Sequence, residues 1–566
     1  MLNFKKAVAD VLDNIIEPLD SQQIFDILEL PPNPEMGDLA LPCFKLSKIM
    51  RRSPVQIAQE LAEKLQVSEY IDKVEAVSGY LNIFFNKSAF IKEVLESAIK
   101  EKDKYGSQDV GKGKTVVIDY SAPNIAKPFH VGHLRSTVIG NSLYKIFEFM
   151  GYNCVGVNHL GDWGTQFGKL IVAYKKWGSR EKVEKDQIKE LMALYVRFHD
   201  EAEKNPELDD EARAWFTKME RGDQEALELW KWFKDISLKE FDRVYKVLGV
   251  SFDSYAGESF YNDKMDATVE ELKQKNLLKE SEGAQIVDLE EYGMPPCIIL
   301  KKDGSTLYAT RDITAAIYRK NTYDFDKCIY VTGASQSLHF QQWFKVIELM
   351  GYPWAKNLIH VPFGIVSLGG EKLATRKGKV VLLEDILNEA IKKTREIIEE
   401  KSPNMENKDE TAREIGVGAV IFSDLSNNRI KDVSFTWDEA LNFDGETGPY
   451  VQYTHARTCS VLNKAGMEPS SEFNAELLST KEEYQLVKTL YQFPEKVIQA
   501  MNDLEPSVIT RYLVDVAQDF NRFYHEHSIL VEDQELRKAR LALVAATRIA
   551  LSNGLKLIGL SAPERV

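Results

Sequence analysis

The amino-acid sequence predicts an α/β protein with three parts: an N-terminal α+β domain, a doubly wound parallel-sheet domain and a C-terminal all-α bundle. In the central part, short β-branched apolar segments alternate with longer segments of helical periodicity, which is typical of a parallel sheet covered by helices. The first hundred or so residues contain both kinds of segment, and beyond about residue 411 we predict helices and no strand. We place the domains at residues 1–105, 106–435 and 436–566.

Length and composition are those of a globular protein with more than one domain. The chain has 566 residues, of which 44% are hydrophobic and 28% charged, and it is too long for one hydrophobic core. We find no bilayer-spanning apolar run and no signal-peptide pattern. The five cysteines are far apart and form no C-x-x-C pair. We therefore expect a cytoplasmic protein without membrane association, a disulfide framework or a metal site.

The net charge is −15, from 72 basic and 87 acidic residues. This balance disfavours a nucleic-acid partner, because affinity for phosphate comes largely from lysine and arginine. A large acidic protein can nevertheless present one basic face, and only the local potential acts on a ligand. The composition therefore leaves the partner open.

The N-terminal domain is predicted to begin with an amphipathic helix in residues 1–15 and to contain strands at residues 74–77 and 80–85. A lysine-rich, glycine-containing joint at residues 100–114 separates it from the central domain. This arrangement of helices and short strands predicts the α+β class.

The central sheet is predicted from four apolar segments, and one long insertion interrupts it. The predicted strands are residues 115–119, 153–158, 327–331 and 358–362. Between about residues 169 and 249 the sequence is charged with helical periodicity, which predicts a separate helical insertion. The C-terminal domain is predicted as a bundle with helices at residues 480–504, 507–525 and 534–558.

The strongest functional signal is H-V-G-H at residues 130–133. It follows the first central strand and precedes a helix, so His130 and His133 lie about one turn apart at a helix N-terminus, where phosphate is favoured. Gly132 leaves room for a ring or phosphate to approach the backbone, and Lys127 adds a cation. A pair of structural loop histidines remains the alternative at this point.

Three further clusters could join this site. The glycine-rich segment 158–168 follows the second central strand, where ligands of parallel sheets bind, and it brings His159, Gly161 and Asp162. Its alternative is a glycine-rich turn around a packed Trp163.

The second cluster is the segment 307–316, in which Tyr308 and Asp312 are four residues apart. An aromatic ring and a carboxylate on one helical face suit a cationic substrate. A salt-bridged surface aspartate is the alternative.

The third cluster is the segment 369–387, in which Lys372, Arg376, Lys377 and Lys379 lie in a glycine-flanked loop before a helix. Mobile cations beside a nucleotide site commonly neutralise the charge that develops in phosphoryl or nucleotidyl transfer. A solvated basic loop is the alternative. Together the clusters supply what a nucleotidyl transferase of the doubly wound class needs.

These strings resemble a known family. H-V-G-H and the later lysine–arginine loop resemble the two signatures of class I aminoacyl-tRNA synthetases, usually quoted as HIGH and KMSKS. The longer strings SAPNIAKPFHVGHLRST, NHLGDWGTQFG, LYATRDI and GPYVQYTHAR resemble the arginyl-tRNA synthetase family over nearly the whole chain. The second signature departs from KMSKS and resembles the KMSTRKG variant, with Leu373 and Ala374 in place of methionine and serine.

The resemblance implies roles for the candidate residues. His130 and His133 would hold ATP and stabilise the transition state at its α-phosphate, with Gly132, His159, Gly161 and Asp162 at the nucleotide and with charge from Lys127, Lys372, Arg376 and Lys377. Asn124 would contact the α-amino or carboxylate end of the substrate arginine. Its guanidinium would meet Asp312, with Tyr308 against it, Gln336 nearby and Glu258 as a second carboxylate.

The resemblance also implies a tRNA partner. Tyr450, Tyr453 and Arg457 lie at positions i, i+3 and i+7, a helical face that suits unstacked bases, and Tyr524 would join them. Without the resemblance, a buried tyrosine pair is the alternative. Asn82 and Phe85 of the N-terminal domain would meet the tRNA elbow.

The implied activity is the ATP-dependent joining of L-arginine to tRNA(Arg) through arginyl-adenylate, with Mg²⁺ carried on ATP and a monomeric enzyme. Two alternatives remain: another class I synthetase or small-molecule adenylyltransferase, and a non-catalytic RNA-binding paralogue. The tyrosine-bearing C-terminal domain disfavours the small-molecule enzyme, and retention of both histidines and the basic loop disfavours the paralogue.

Overall fold

A computed structural model describes residues 3–17, 19–65, 67–125, 129–368, 371–372 and 382–566. Its N-terminal unit is α+β, as predicted: helices pack against an antiparallel sheet whose strand order is β1-β3-β2. Strand β1 was not predicted, because its four residues, L-A-L-P, are too short to show a period. The elements are α1 (Phe4–Asp13), α2 (Ser21–Ile27), β1 (Leu39–Pro42), α3 (Ser47–Met50), α4 (Pro54–Lys64), β2 (Ile71–Val77), β3 (Tyr80–Phe85) and α5 (Lys87–Glu101).

The central unit is built on a parallel sheet, which confirms the predicted fold class. In the described part of the chain this sheet has the order β10-β9-β4-β5, and every neighbouring pair is parallel. The elements are β4 (Thr115–Asp119), α6 (Gly132–Phe149), β5 (Asn153–Val157), α7 (Thr165–Trp177), α8 (Arg180–Asp186), α9 (Ile188–Ala202), α10 (Glu207–Glu220), α11 (Gln224–Leu248), α12 (Met265–Gln274), β6 (Leu278–Ser281), β7 (Ala284–Val287), β8 (Cys297–Leu300), α13 (Tyr308–Tyr323), β9 (Lys327–Gly333), α14 (Ser337–Leu349), β10 (Leu358–Phe363), β11 (Val366–Leu368), β12 (Glu371–Lys372), α15 (Leu383–Lys401), α16 (Lys408–Leu425), β13 (Val433–Phe435) and α17 (Trp437–Ala440).

The sheet forms where the sequence is both apolar and β-branched. Strand β4 reads T-V-V-I-D, and its last four residues are buried because it lies inside the sheet with neighbours on both sides. Helix α6 packs closely on the chain that leaves β4: a Cβ placed on Gly140 would lie 2.2 Å from Tyr120. The helix that carries the two histidines is thereby fixed to the central strand.

Two small sheets were missed. Strands β6, β7 and β8 form an antiparallel sheet between α12 and α13. Strand β13 pairs in parallel with β11, so the prediction of no strand beyond about residue 411 is wrong. Each of these strands has only three or four residues, and the pairing partner of β13 lies 67 residues earlier in the chain, which no local pattern reveals.

The C-terminal unit is helical, as predicted. The predicted helix at residues 480–504 is two helices, because Pro494 lies in the first turn of the second and cannot donate the hydrogen bond that would continue the first. No helix among the described residues combines the length and apolar character needed to cross a bilayer. The elements are α18 (Gly448–Ala465), α19 (Lys481–Tyr491), α20 (Phe493–Asp503), α21 (Ser507–Glu526) and α22 (Gln534–Leu557).

A buried arginine joins the histidine-bearing helix to the rest of the central unit. Arg135 of α6 is 1% exposed, and its Nε lies 3.1 Å from Oδ1 of Asp424 in α16, which is 4% exposed. Its Nη1 donates to the carbonyl oxygens of Gly364 (3.2 Å) and Lys431 (2.7 Å). One guanidinium therefore holds α6, α16 and the segments that precede β11 and β13.

We expect Asp424→Asn to destabilise the fold by about 3–5 kcal/mol, because it leaves the buried Arg135 charge unpaired. The double variant Arg135→Met/Asp424→Leu should recover most of that loss, since it removes both charges. The midpoint of urea unfolding, followed by tryptophan fluorescence, measures the effect. Asp235→Asn is the matched control, because its partner Lys231 is exposed, and equal losses in both single variants would contradict the expectation.

Candidate active site

Loops that follow the central strands meet at the carboxyl edge of the sheet. The Ile125 N–H donates to Gly161 O (3.1 Å), and the Gly161 N–H donates to Pro123 O (3.1 Å), so the loops after β4 and β5 form a short parallel ladder. Strand β4 has β5 on one side and β9 on the other. The chain thus reverses direction across the sheet beside β4, which is where ligands of open α/β sheets bind.

The two histidines face each other at the start of α6. Their ring centroids are 4.0 Å apart. The His130 N–H donates to Nδ1 of His133 (3.2 Å), and the Gly132 N–H donates to Nδ1 of His130 (3.0 Å). A neutral imidazole that accepts at Nδ1 carries its proton on Nε2. Both rings are therefore held as Nε2–H donors at a helix N-terminus, which suits a phosphate oxygen.

The glycine between the histidines is required by their packing. A Cβ on Gly132 would lie 2.7 Å from Cε1 of His130, closer than van der Waals contact permits. Gly132 itself is exposed, and so its backbone is open to a ligand. The contact of Gly132 with a ligand stays a prediction.

The basic loop lies mostly outside the described residues, as do Arg376, Lys377, Lys379 and Lys127. Lys372 ends β12, paired with Ser367 of β11. On the far side of the loop the chain returns to the histidines: Leu382 forms an antiparallel bridge with His130, and the Leu383 N–H donates to Phe129 O (3.0 Å). The structure thus joins the end of the basic loop to the H-V-G-H segment.

Two carboxylates, those of Glu258 and Asp312, lie close enough to interact electrostatically. Glu258 is 14% exposed, and its Oε1 is 3.8 Å from Nη1 of Arg311, too far for a hydrogen bond. Asp312 of α13 accepts a hydrogen bond from Nε2 of His339 (2.6 Å). Burial raises the pKa of Glu258 to about 7; Arg311 opposes the rise, and the negative charges of Asp312 and Asp162 add to it. Two carboxylates with so little compensating charge are suited to a cationic ligand.

The other predicted substrate residues, Tyr308, Gln336 and Asn124, are exposed. Tyr308 is the first residue of α13, one turn before Asp312, and is 66% exposed. Gln336 is exposed one turn before His339. Asn124 is exposed, and its side chain covers Gly161, where a Cβ would lie 2.2 Å from Asn124 Oδ1. Glycine at position 161 is what lets Asn124 take this position.

His159 and Asp162 are held by protein groups. Nδ1 of the partly buried His159 lies 3.2 Å from Ala256 O, and burial lowers its pKa. Asp162 is fully buried, and its carboxylate accepts hydrogen bonds from the N–H (2.8 Å) and hydroxyl (2.7 Å) of Ser259 and from Nζ of Lys234 (2.5 Å). Its role at the nucleotide stays a prediction.

The sequence analysis did not identify two residues whose side chains bind aspartates at the carboxyl edge of the sheet, His339 and Arg319. His339 follows β9 at the same edge of the sheet where H-V-G-H follows β4, so the strand-end rule alone points to it. Arg319 forms a buried ion pair with Asp119 at the end of β4 (Nη2–Oδ2, 2.8 Å), and its guanidinium also lies 5.5 Å from the Tyr330 ring. No local pattern distinguishes Arg319 from a surface arginine, because its burial depends on the sheet behind it.

The predicted C-terminal residues come together beside one cleft, which Tyr450, Tyr453 and Arg457 line, and Tyr524 packs on Arg457. The Arg457 guanidinium lies 4.9 Å from the Tyr453 ring and 5.1 Å from the Tyr524 ring, and these rings are 39% and 38% exposed. Nδ2 of Asn521 donates to the Tyr450 hydroxyl (3.0 Å). The cleft beside them has a volume of about 540 Å³, and Val566, Lys401 and His525 also line it. It offers half-exposed rings and a cation, which suit stacked bases.

The N-terminal candidates are buried. Asn82 and Phe85 are each 5% exposed, because β3 is the middle strand of its sheet and Phe85 packs on Phe4 with ring centroids 5.1 Å apart. Their side chains are therefore not placed to meet a partner. The exposed rings of this unit include Phe44 and Tyr80, which contact each other edge to face at 5.2 Å.

Comparison with protein families divides the chain into three matched regions. Residues 2–85 match the arginyl tRNA synthetase N-terminal domain, residues 94–437 the catalytic domain of class I (R) tRNA synthetases, and residues 451–566 the DALR anticodon-binding domain. The chain is 59% identical to the arginine–tRNA ligases of Alkaliphilus metalliredigens and of Clostridioides difficile, over all 566 residues and the full length of each relative.

The fold is also that of a solved protein. The chain matches Thermus thermophilus arginyl-tRNA synthetase with a TM-score of 0.82 and 26% identity over 99% of both chains. Plasmodium falciparum arginyl-tRNA synthetase has the same fold, with a TM-score of 0.79 and 24% identity over 100% of this chain and 98% of that one.

Proposed function

The chain belongs to the arginyl-tRNA synthetase family of class I and is an arginine–tRNA ligase, and we propose how its residues perform this reaction. The carboxylate of arginine attacks the α-phosphate of ATP, which forms arginyl-adenylate and releases pyrophosphate. The acyl group then passes to the 3′-terminal ribose of tRNA(Arg), and AMP leaves. The enzyme positions the reactants and stabilises charge rather than supplying a nucleophile.

The ATP end of the site is assigned to the H-V-G-H segment. His130 and His133 present Nε2–H donors, because each accepts a backbone N–H at Nδ1. These donors and the N-terminus of α6 stabilise the negative charge that develops at the α-phosphate. Lys127, Lys372, Arg376 and Lys377 add positive charge, and Mg²⁺ enters bound to the ATP phosphates. Gly132, Gly161 and His159 contact the nucleotide.

The arginine end is assigned to Glu258 and Asp312. The observation that carries this proposal is the pair of poorly compensated carboxylates, whose mutual repulsion a guanidinium would relieve. Tyr308 and Gln336 flank the guanidinium, and Asn124 contacts the α-amino or carboxylate end. A lysine substrate would leave some of these acceptors unpaired, which costs more affinity than a lost apolar contact.

We propose that the cleft lined by Tyr450, Tyr453 and Arg457, with Tyr524 beside Arg457, holds anticodon bases. Half-exposed rings around a guanidinium support this, since single-stranded RNA is bound by stacking and edge hydrogen bonds. For the tRNA elbow, the exposed Phe44–Tyr80 pair is a better candidate than Asn82 and Phe85. The domain limits 1–105, 106–435 and 436–566, a monomeric state and a cytoplasmic location complete the proposal.

ATP–pyrophosphate exchange tests the two-step assignment. We expect exchange with arginine in the presence of tRNA(Arg) and no exchange with the other amino acids. Asp312→Ala should raise the arginine KM by about 100-fold and leave the ATP KM nearly unchanged, since a charged hydrogen bond to the guanidinium is lost. Exchange with another amino acid would exclude the arginine assignment, and a collapse of ATP affinity in Asp312→Ala would exclude the role of Asp312.

The raised pKa of Glu258 predicts a pH-dependent arginine KM. The guanidinium needs the ionised carboxylate, so affinity is nearly full at pH 8 and falls as the pH drops through the pKa of about 7. The arginine KM should be about tenfold higher at pH 6 than at pH 8.

Pyrophosphate exchange across that range measures the arginine and ATP KM values together. Glu258→Gln should show a raised arginine KM with a flat pH profile. A profile in this variant that matches the unaltered enzyme would assign the titration to another group.

Tyr453→Ala should lower the kcat/KM for tRNA by about tenfold, because one base loses its stacking ring. The arginine and ATP KM values should stay the same. Aminoacylation with varied tRNA concentration measures this, and Tyr195→Ala in the helical insertion is the control. An unaltered kcat/KM for tRNA would place the anticodon elsewhere.

A further inference from the structure

The Asp162 carboxylate accepts its hydrogen bonds from protein groups. Its Oδ1 accepts the Ser259 N–H, its Oδ2 accepts the Ser259 hydroxyl and the Lys234 ammonium, and the side chain is fully buried. A carboxylate with three donors and no exposed surface has little capacity left for a nucleotide. Its contacts lead instead to the residue next to Ser259 in the chain, Glu258.

The backbone around Glu258 rests directly on the Asp162 segment. The Glu258 N–H donates to Leu160 O (2.9 Å). A Cβ on Gly257 would lie 2.6 Å from that same oxygen and 2.8 Å from Asp162 Oδ1, so only glycine permits this approach. Two hydrogen bonds thus fix this backbone: the one from the Glu258 N–H to Leu160 O and the one from the Ser259 N–H to the Asp162 carboxylate.

The helical insertion secures this contact from the other side. The Trp230 indole N–H donates to the carbonyl oxygen of Asp162 (2.7 Å), and Lys234, one turn later on α11, pairs with its carboxylate. The Lys234 ammonium also lies 5.2 Å from the Trp230 ring. An insertion distant in the chain from the signatures therefore reaches the guanidinium end of the site.

We propose that Asp162 is a positioning residue for arginine recognition, which holds Glu258 through Ser259 and is itself held by α11. Glu258 receives a fixed backbone from this support, so its carboxylate keeps one place within the electrostatic influence of Asp312 and Arg311. The proposal rests on the proposed role of Glu258 as a guanidinium acceptor, and it removes Asp162 from the residues that contact ATP.

The charge of Asp162 also affects the pKa of Glu258, which can be measured. The charged groups that face Glu258 are Arg311 and Asp312 of α13 and Asp162 itself, with Lys234 behind Asp162. The negative charge of Asp162 helps to raise the pKa of Glu258, after the larger effect of burial. Removing that charge should therefore lower the pKa, whereas a general loosening of the fold would also expose Glu258 but would alter the ATP site as well.

The test is steady-state pyrophosphate exchange with tRNA present, from about pH 6 to pH 8.5, on the full-length enzyme. Asp162→Asn should raise the arginine KM by about tenfold and leave the ATP KM within about twofold of its original value. The pH midpoint of the arginine KM should move below 7. Ser259→Ala keeps the charge and loses one hydrogen bond, so it should raise the arginine KM by about threefold without moving the midpoint.

The matched control is Asp209→Asn, which makes the same chemical change within the insertion. Asp209, on α10, pairs instead with Lys169 of α7 (3.1 Å). Both of its KM values should be unchanged.

A raised ATP KM in Asp162→Asn, or equal rises in both KM values, would overturn the proposal. If Asp162→Asn does not fold, an unchanged arginine KM in Ser259→Ala would overturn it alone. The underlying role of Glu258 is judged separately: if Glu258→Gln leaves the arginine KM unchanged, the proposed function fails at that residue.

Discussion

The buried Arg135 guanidinium is the contact on which the arrangement of the site depends. It follows His133 by two residues and joins α6 to Asp424 and to the carbonyl groups of Gly364 and Lys431. Gly364 precedes β11, which leads toward the basic loop, and Lys431 precedes β13, which pairs with β11. The Arg135 guanidinium therefore connects the helix that holds the histidines to the strands that lead to the second signature. A buried charge tolerates few alternatives, because any shift that breaks its pairing leaves the charge in a low-dielectric interior.

The candidate site contains more negative charge around Glu258 than nearby positive groups neutralise. Among the described residues, Arg311, whose Nη1 lies 3.8 Å from Glu258 Oε1, and the backbone of Trp163 offset the Glu258 charge, whereas Asp312 and Asp162 add negative charge. Burial of this group is unfavourable in the free enzyme, which is why its pKa rises to about 7. In the proposed function, the arginine side chain supplies the missing charge and the matching donors. Specificity would then follow, because a ligand without a guanidinium leaves carboxylate acceptors unpaired.

Support for these carboxylates comes from outside the sheet. Asp312 is held by His339 of α14, and the Glu258 segment rests on Asp162, which α11 of the helical insertion holds through Lys234 and Trp230. The insertion therefore fixes the position of the Asp162 segment, in addition to connecting the halves of the sheet. Gly257 and Gly161 matter for the same reason, since each allows two segments to approach more closely than a Cβ permits.

The sequence by itself determined the parallel sheet, the α+β and helical flanking domains, and the position of H-V-G-H between β4 and α6. These features are local: a buried strand, a helix start and a glycine leave a period or a string within about 20 residues. It did not reveal β13, the β6–β8 sheet, His339, Arg319 or the pairing of Arg135, and it placed Asn82 and Phe85 at a surface where they are buried. Only the tertiary structure decided these, because a three-residue strand or a lone arginine acquires its role from partners tens or hundreds of residues away. Asp162 shows the difference best: its string identified the region, but only the contacts of Ser259 and Lys234 show where its carboxylate points.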